Sequence, residues 1–158
     1  MELRLRKANI TDCSLLYYWV NDEQVRNNSF NNSKISYEEH IEWFNRKLRY
    51  QYTQIFILEK EEKKIGQIRI DIEDTTAIID YSIDEKYRGK KYGYKILNML
   101  EQEIVTNYLY IRILEGRVKL SNISSQKCFE GNAYNKFIKE LYIVYRKKLK
   151  YTRRINDE

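Results

Sequence analysis

Residues 84–97, DEKYRGKKYGYKIL, set two glycines and five basic residues between two apolar patterns: a strand pattern ending near Ile83 and a helix pattern beginning near Lys90. A strand, a glycine-bearing turn and a helix in direct succession commit a chain to helices packed on a sheet. The same junction makes a ready anion site, because the first N–H groups of a helix point outward without partners inside it. Gly89 and Gly93 let backbone approach a ligand where a Cβ would intervene. The plainer reading is that Gly89 turns the chain and Gly93 relieves the packing of the helix on the sheet.

The rest of the chain repeats that alternation. ELRLRKA (2–8) alternates apolar and charged residues as a half-buried strand does, and Thr11 or Asp12 is placed to cap a helix over CSLLYYWV (13–20). SYEEHIEWFNRKL opens on Ser36 with Glu39 three residues later, a capping box, and sets Ile41, Phe44 and Leu48 on one helical face. QIFILEKEEKKIGQIRIDIEDTTAIIDYSID (54–84) reads as a three-stranded antiparallel meander, broken at Glu59 to Lys64 and at EDTT (73–76). Ile96, Leu97, Met99, Leu100 and Ile104 then recur at helical spacing to about Asn107. A strand over YIRILEGRV, a short helix over NISSQKCFEGN, and one or two strands in NKFIKELYIVYRKKL complete the order β α α β β β α β α β β. The expected fold is α/β (α+β), a mixed sheet of six to seven strands flanked by about four helices.

At 158 residues and 42% hydrophobic content the chain is long enough for one real core, so a single domain over 1–158 is expected, with about 150–158 a frayed basic tail. No run of about 18 apolar residues is present. The first ten residues, MELRLRKANI, are charged where a signal peptide is apolar, so the expectation is a soluble, cytoplasmic protein that meets no membrane. Cys13 and Cys128 stand apart without metal-ligand spacing, and His40 is the only histidine, so no metal is expected. The net charge of +6 invites a nucleic-acid reading, but acidic residues are spread among the basic ones. The basic clusters at 86–91 and 145–154 lack the regular aromatic interleaving of a base-stacking platform. A nucleic-acid-binding module therefore ranks last, and no nucleic-acid partner is expected.

YRGKKYGYKIL resembles the acetyl-CoA pyrophosphate loop of the GNAT family of N-acetyltransferases: Arg or Gln, two free positions, Gly, one free position, then Gly or Ala. Arg88, Lys91 and Gly93 hold the three fixed places, with Lys91 where glycine is usual. About thirty residues on, NISSQKCFEGNAY resembles the second signature of that family through Asn122, Ser125, Phe129, Glu130, Ala133 and Tyr134. Ala133 and Tyr134 replace a Gly-Phe pair, and Phe129 stands where many members carry a tyrosine that acts as general acid. The resemblance covers nearly the whole chain and implies acetyl-CoA as cofactor. It also implies that the strand ending at Ile83 and its neighbour splay apart, the pantetheine arm lying between them as an added strand would. The cofactor contacts it implies come from Ile83, Arg88, Gly89, Lys90, Lys91, Tyr92, Gly93, Tyr94, Asn122, Ser125 and Phe129. The implied chemistry is direct attack of an amine on the thioester, with reactants aligned and the oxyanion stabilised by backbone donors.

The N-terminal third, YYWVNDEQVRNNSF (17–30) and ISYEEHIEWF (35–44), resembles acetyltransferases of amino-sugar nucleotides in surface-glycan and nonulosonic-acid pathways, as does IGQIRIDI (65–72). That resemblance implies a nucleotide-linked amino-dideoxy sugar as acceptor, with Asn21, Arg26, Asn27, Ser29, His40, Trp43, Gln67 and Arg69 offering groups suited to hydroxyls and a diphosphate. The alternative acceptor is the N-terminus of a ribosomal or other protein. On the plainer reading the polar residues are solvated helix faces, and Trp19, Trp43 and Phe44 are core. No general base is assigned: Asp80 lies on the strand before the loop, on the face opposite Tyr81 and Ile83, Glu115 lies on the next strand, and His40 has a suitable intrinsic pKa. Tyr81 and Tyr134 are the candidates for protonating the leaving thiolate. The oligomeric expectation is a monomer or homodimer.

Overall fold

The computed structural model describes residues 2–151. In chain order the elements are β1 (Leu3–Lys7), a 3₁₀ turn (Ile10–Asp12), α1 (Cys13–Val20), α2 (Glu23–Asn28), α3 (Tyr37–Arg49), β2 (Thr53–Lys60), β3 (Lys63–Glu73) and β4 (Thr76–Ile83). A second 3₁₀ turn (Glu85–Tyr87), α4 (Tyr92–Asn107), β5 (Ile113–Lys119), α5 (Ile123–Gly131), β6 (Asn135–Ile138) and β7 (Tyr142–Lys148) follow. The seven strands form one sheet in the order β1-β2-β3-β4-β5-β7-β6. Only β4 and β5 are paired in parallel, as they must be when a helix, α4, carries the chain from one to the other.

The expected succession holds, with one addition. Helix α2, EQVRNN, is six residues long and has no buried side chain, so it leaves no apolar periodicity to read. Its one local signal is Asp22, whose carboxylate caps it by accepting from the Val25 N–H at 3.1 Å. The sheet is thus flanked by five α-helices rather than about four. The cap expected for α1 is also different. Asn9 caps the preceding 3₁₀ turn, accepting from the Thr11 N–H at 2.9 Å, and the fully buried Asp12 carboxylate accepts instead from the Asn9 N–H and from Arg6. The basic cluster at 145–154 begins inside β7, while its end, and most of the expected tail at 150–158, lie outside the described residues.

Strand alternation divides the sheet into two unlike faces. On one, Ile68 and Ile70 of β3, Ala77 and Ile79 of β4 and Leu114 of β5 pack under Ile96, Leu97, Leu100 and Ile104 of α4. Each of these four α4 side chains is at most 1% exposed, so each contributes about 1.5–3 kcal/mol of apolar burial. On the other face, Ile55 and Ile57 of β2 pack beneath Leu16, Trp19 and Phe44 of α1 and α3. The middle strands carry polar residues there, Gln67, Arg69 and Asp71 on β3 and Asp80 and Ser82 on β4. Pairing of β4 with β5 stops at Ile79–Gly116 although the strands run on to Ile83 and Lys119. The two strands part there, as the resemblance implied.

Candidate active site

A cavity of about 690 Å³ opens where β4 and β5 separate. Beyond Ile79 and Gly116 the facing backbone edges have no ladder partner in each other, so an extended ligand arm can hydrogen-bond to them as a strand would. Asp80, Tyr81 and Ile83 of β4 form one wall, the loop before α4 forms the floor, and Asn122, Ser125 and Phe129 of α5 close the far side.

The loop takes its shape from two left-handed residues, Gly89 at φ +77° and Lys91 at φ +67°. Lys91 is the N-cap of α4 and makes no side-chain capping bond, so it leaves the first helical N–H groups for a ligand. The position where the motif usually has glycine therefore does require a glycine-like conformation, which lysine adopts at a cost of about 1 kcal/mol. Ala133, at the other replaced glycine, also has positive φ, +64°. Gly93 serves both readings given to it: it lines the cavity, and a Cβ there would stand 2.9 Å from Cys128 Sγ and 3.5 Å from the Tyr81 ring, where α4 meets α5.

The other expected cofactor residues divide by role. Ile83, Gly89, Lys91, Tyr92 and Tyr94 line the cavity, whereas Lys90 is exposed outside it. Arg88 lines it too, yet its guanidinium is held by the protein, donating to Ile83 O at 3.1 Å, Gln24 Oε1 at 3.3 Å and Asp22 Oδ1 at 2.7 Å. Asn122 caps α5 through the Ser125 N–H at 3.2 Å. The Ser125 hydroxyl accepts from Tyr81 Oη at 2.9 Å, which leaves its own proton free to point elsewhere. Burial, reinforced by Cys128, drives the Tyr81 pKa well above that of a free phenol against the opposing bond to Ser125. The group is a hydrogen-bond donor but a poor proton source. Phe129 is 2% exposed, stacked on Tyr145 with ring centroids 5.3 Å apart, and presses its Cζ toward Gly116. It brings no hydroxyl to the point where the strands part.

Three expectations about proton carriers are corrected by packing. The Tyr134 hydroxyl is buried without a partner among the described residues and does not line the cavity. Burial and the nearby Glu101 raise its pKa, so it is no donor to a thiolate. His40 is 3% exposed in the α1–α3 interface, with Nε2 3.0 Å from Cys13 O and its ring stacked on Phe44. Burial lowers its pKa and the contact with the Cys13 carbonyl only partly restores it, so the imidazole is a neutral core group away from the cavity. Burial raises the Glu115 carboxyl, but Arg146 at 2.7 Å and Arg117 at 3.0 Å more than offset this and hold it below the usual range. It is an ion-paired strut rather than a base.

The expected acceptor residues separate in the same way. Asn21 is a staple, donating to Ile35 O at 2.9 Å and accepting from the Ile35 N–H at 2.8 Å. Arg26 is spent on the carbonyls of Val20, Asn31 and Ser33. Ser29 does line the cavity, with Val25 and Asn28 of α2, which went unread along with that helix. Gln67, Arg69 and Trp43 do not line the cavity but stand behind Asp80, which does: Gln67 Nε2 donates to its carboxylate at 3.1 Å, Arg69 Nη1 lies 3.9 Å from it, and the Arg69 guanidinium lies 5.1 Å over the Trp43 ring. Asp80, with its side chain 55% exposed, is the only carboxylate among the described residues that line the cavity.

The family model described as an acetyltransferase (GNAT) domain matches residues 2–133. The chain belongs to the GNAT acetyltransferase family. This acetyltransferase also shares its fold with solved structures of low sequence identity. The ribosomal L7/L12 alpha-N-protein acetyltransferase RimL in complex with coenzyme A superposes with a TM-score of 0.80 at 17% identity, over 93% of this chain and 94% of that one. A domain from Methanocaldococcus jannaschii gives a TM-score of 0.80 at 19% identity, over 94% and 99% of the two chains. Spermidine N-acetyltransferase from Vibrio cholerae, in complex with CoA and spermine, gives 0.79 at 18% identity over 91% and 92%. No curated protein sequence matches the chain. The acetyltransferase uses acetyl-CoA, and its cavity suits that cofactor: unpaired strand edges for the arm, an uncapped helix start for the diphosphate, and the cations of Lys91 and Lys127 beside it.

Proposed function

We propose that this acetyltransferase acetylates the amine of a nucleotide-linked amino-dideoxy sugar seated on the polar face of β3 and β4. The observation that carries the reading is Asp80 on the cavity wall beside the point where the strands part, held from behind by Gln67 and Arg69, with Asn28 and Ser29 lining the same cavity. Acetyl-CoA supplies an activated acetyl thioester: the neutral acceptor amine would attack its carbonyl carbon, the C–S bond breaking as the C–N bond forms, and coenzyme A would leave as the thiol with the proton that the nitrogen gives up. The edges of β4 and β5 hold the arm of the cofactor, and the start of α4 with Lys91 holds its diphosphate. Asp80 accepts hydrogen bonds from the arriving ammonium and fixes its direction of approach, and once the nitrogen has lost a proton to solvent the aligned neutral amine attacks, so alignment supplies much of the rate. Asn28 offers an amide and Ser29 a hydroxyl oxygen to sugar hydroxyls which an apolar wall would strand, while Gln67 holds Asp80 in place.

A second reading, a peptide N-terminus or a linear polyamine, is favoured by a different observation. A lone carboxylate in a cavity whose other charged groups are basic selects a cationic amine of any carrier, and the two named structural relatives act on a protein N-terminus and on spermidine. The test is acetyl-CoA-dependent thiol release across a panel of amino-sugar nucleotides, N-terminal peptides and polyamines. Turnover of a sugar nucleotide supports the first reading. Turnover of peptides or polyamines with none of the sugars replaces it by the second.

A further inference from the structure

The basic residue that opens the cofactor loop is anchored to a different part of the chain. Arg88 lines the cavity, and its guanidinium reaches Asp22 at 2.7 Å and Gln24 at 3.3 Å, sixty-six and sixty-four residues away. Asp22 Oδ1 is shared: the oxygen that receives Arg88 also caps α2 through the Val25 N–H. A second tie runs parallel to it, from Trp19 Nε1 to Asp84 Oδ2 at 2.7 Å. Both partners are buried, and the other Asp84 oxygen accepts the Lys86 N–H inside the loop. The corner between α1 and α2 is thus pinned at two points to the loop that precedes α4. Helix α2 has no buried side chain of its own to seat it, yet it supplies Val25 and Asn28 to the cavity wall. With little apolar burial, its position rests on polar ties: Asp22–Arg88 and Trp19–Asp84 at its N-terminal corner, and Lys119 Nζ donating to Asn27 O at 2.9 Å near its C-terminus.

We propose that Asp22 is a positioning residue that couples the cofactor loop to α2 through Arg88, so that occupancy of the loop by coenzyme A orders the acceptor wall. The inference rests on the acetyl-CoA site described above. An anion at the start of α4 holds the loop, the loop holds Arg88, and Arg88 holds the N-terminus of α2. By linkage, anything that orders α2 strengthens cofactor binding by the same factor.

The test needs no acceptor. Amide hydrogen exchange across residues 23–28 is measured with and without coenzyme A in the wild type and in Asp22→Asn, a change that keeps a good N-cap but removes the charge that Arg88 receives. The expected result is that coenzyme A slows exchange in α2 by about tenfold or more in the wild type. Asp22→Asn should lose most of that protection and, by the same linkage, bind coenzyme A more weakly by up to about the factor by which exchange was slowed in the wild type. Gln24→Ala, which removes the weaker arm, should show a smaller loss and keeps the test open if Asp22→Asn does not fold. If coenzyme A binds but leaves α2 exchange unchanged in the wild type, or if both variants keep full protection, the coupling is refuted. If coenzyme A does not bind the wild type at all, the cofactor site itself is wrong, a separate failure.

Discussion

Strand β4 shows two surfaces to two different tasks. Ala77, Ile79, Tyr81 and Ile83 turn toward α4 and α5, where packing is dense and the cavity opens on unpaired strand edges and the uncapped start of α4. Asp80 and Ser82 turn the other way, into a polar network with Gln67 on the face proposed to receive the acceptor. Backbone N–H groups at the start of a helix bind an anion whatever the neighbouring side chains are, provided the turn can form. Side chains on the acceptor face act only if they are not already used by the fold, and His40, Asn21 and Arg26 are used. The backbone on that side thus keeps its left-handed turns with Lys91 and Ala133 in place of glycine, whereas on the opposite face a single hydrogen-bond partner decides whether a residue is free to bind or is a strut.

The sharpest break of that contrast is expected from Gly93→Asp. A side chain there meets Cys128 and sets a negative charge at the start of α4, so coenzyme A affinity should fall by more than about 100-fold while the variant still melts cooperatively. Unchanged calorimetric affinity in the folded variant would remove the loop from the site. Next comes Gly116→Ala, whose Cβ would meet the Phe129 ring, itself backed by Tyr145. Overpacking at that point should cost about 1–3 kcal/mol in a denaturant melt and also weaken coenzyme A, because the strands part there.

His40→Ala probes the opposite side. It should cost about 2 kcal/mol of stability through a cavity in the α1–α3 interface and leave turnover of the folded fraction nearly unchanged. The pH dependence follows from the lowered pKa of His40. Unfolded histidine takes up its proton near pH 6.5, the buried one only at lower pH, so stability should fall as pH drops below about 6.5. The alanine variant should lose that part of the slope, and an unchanged slope would assign it to other groups. Asp80→Asn should lower turnover of the acceptor identified in the thiol-release panel by about tenfold, a loss of about 1.4 kcal/mol, with coenzyme A affinity untouched. Equal losses in both would place Asp80 with the cofactor instead. The smallest effect is expected from Lys91→Gly, which relieves the left-handed strain at φ +67° and should raise stability by about 0.5–1 kcal/mol. A lower melting temperature would show that the lysine side chain holds the loop more than its backbone strains it.

Much of the fold was legible because its signals are local. The meander from β2 to β4, the capping box at Ser36 and the apolar stripe of α4 each sit within one window of sequence, and the order of elements follows from them. Helix α2 was not legible, since six residues without an apolar face leave only the Asp22 cap to announce them. The shape of the turn before α4 was legible because it belongs to consecutive residues, Gly89 and Lys91 with positive φ and Gly93 in the first turn of the helix.

By itself, then, the sequence determined a mixed sheet with a crossover helix and a glycine-bearing turn at its start, since periodicity and turn chemistry act over a few residues. The tertiary structure alone decided which polar side chains are available. Asn21 meets Ile35 fourteen residues on, Arg88 meets Asp22 sixty-six residues back, and Glu115 meets Arg146 thirty-one residues on. Whether a buried polar group is a ligand or a strut depends on the partner that compensates its desolvation. That partner is chosen by packing between elements, which leaves no pattern within a short stretch of chain.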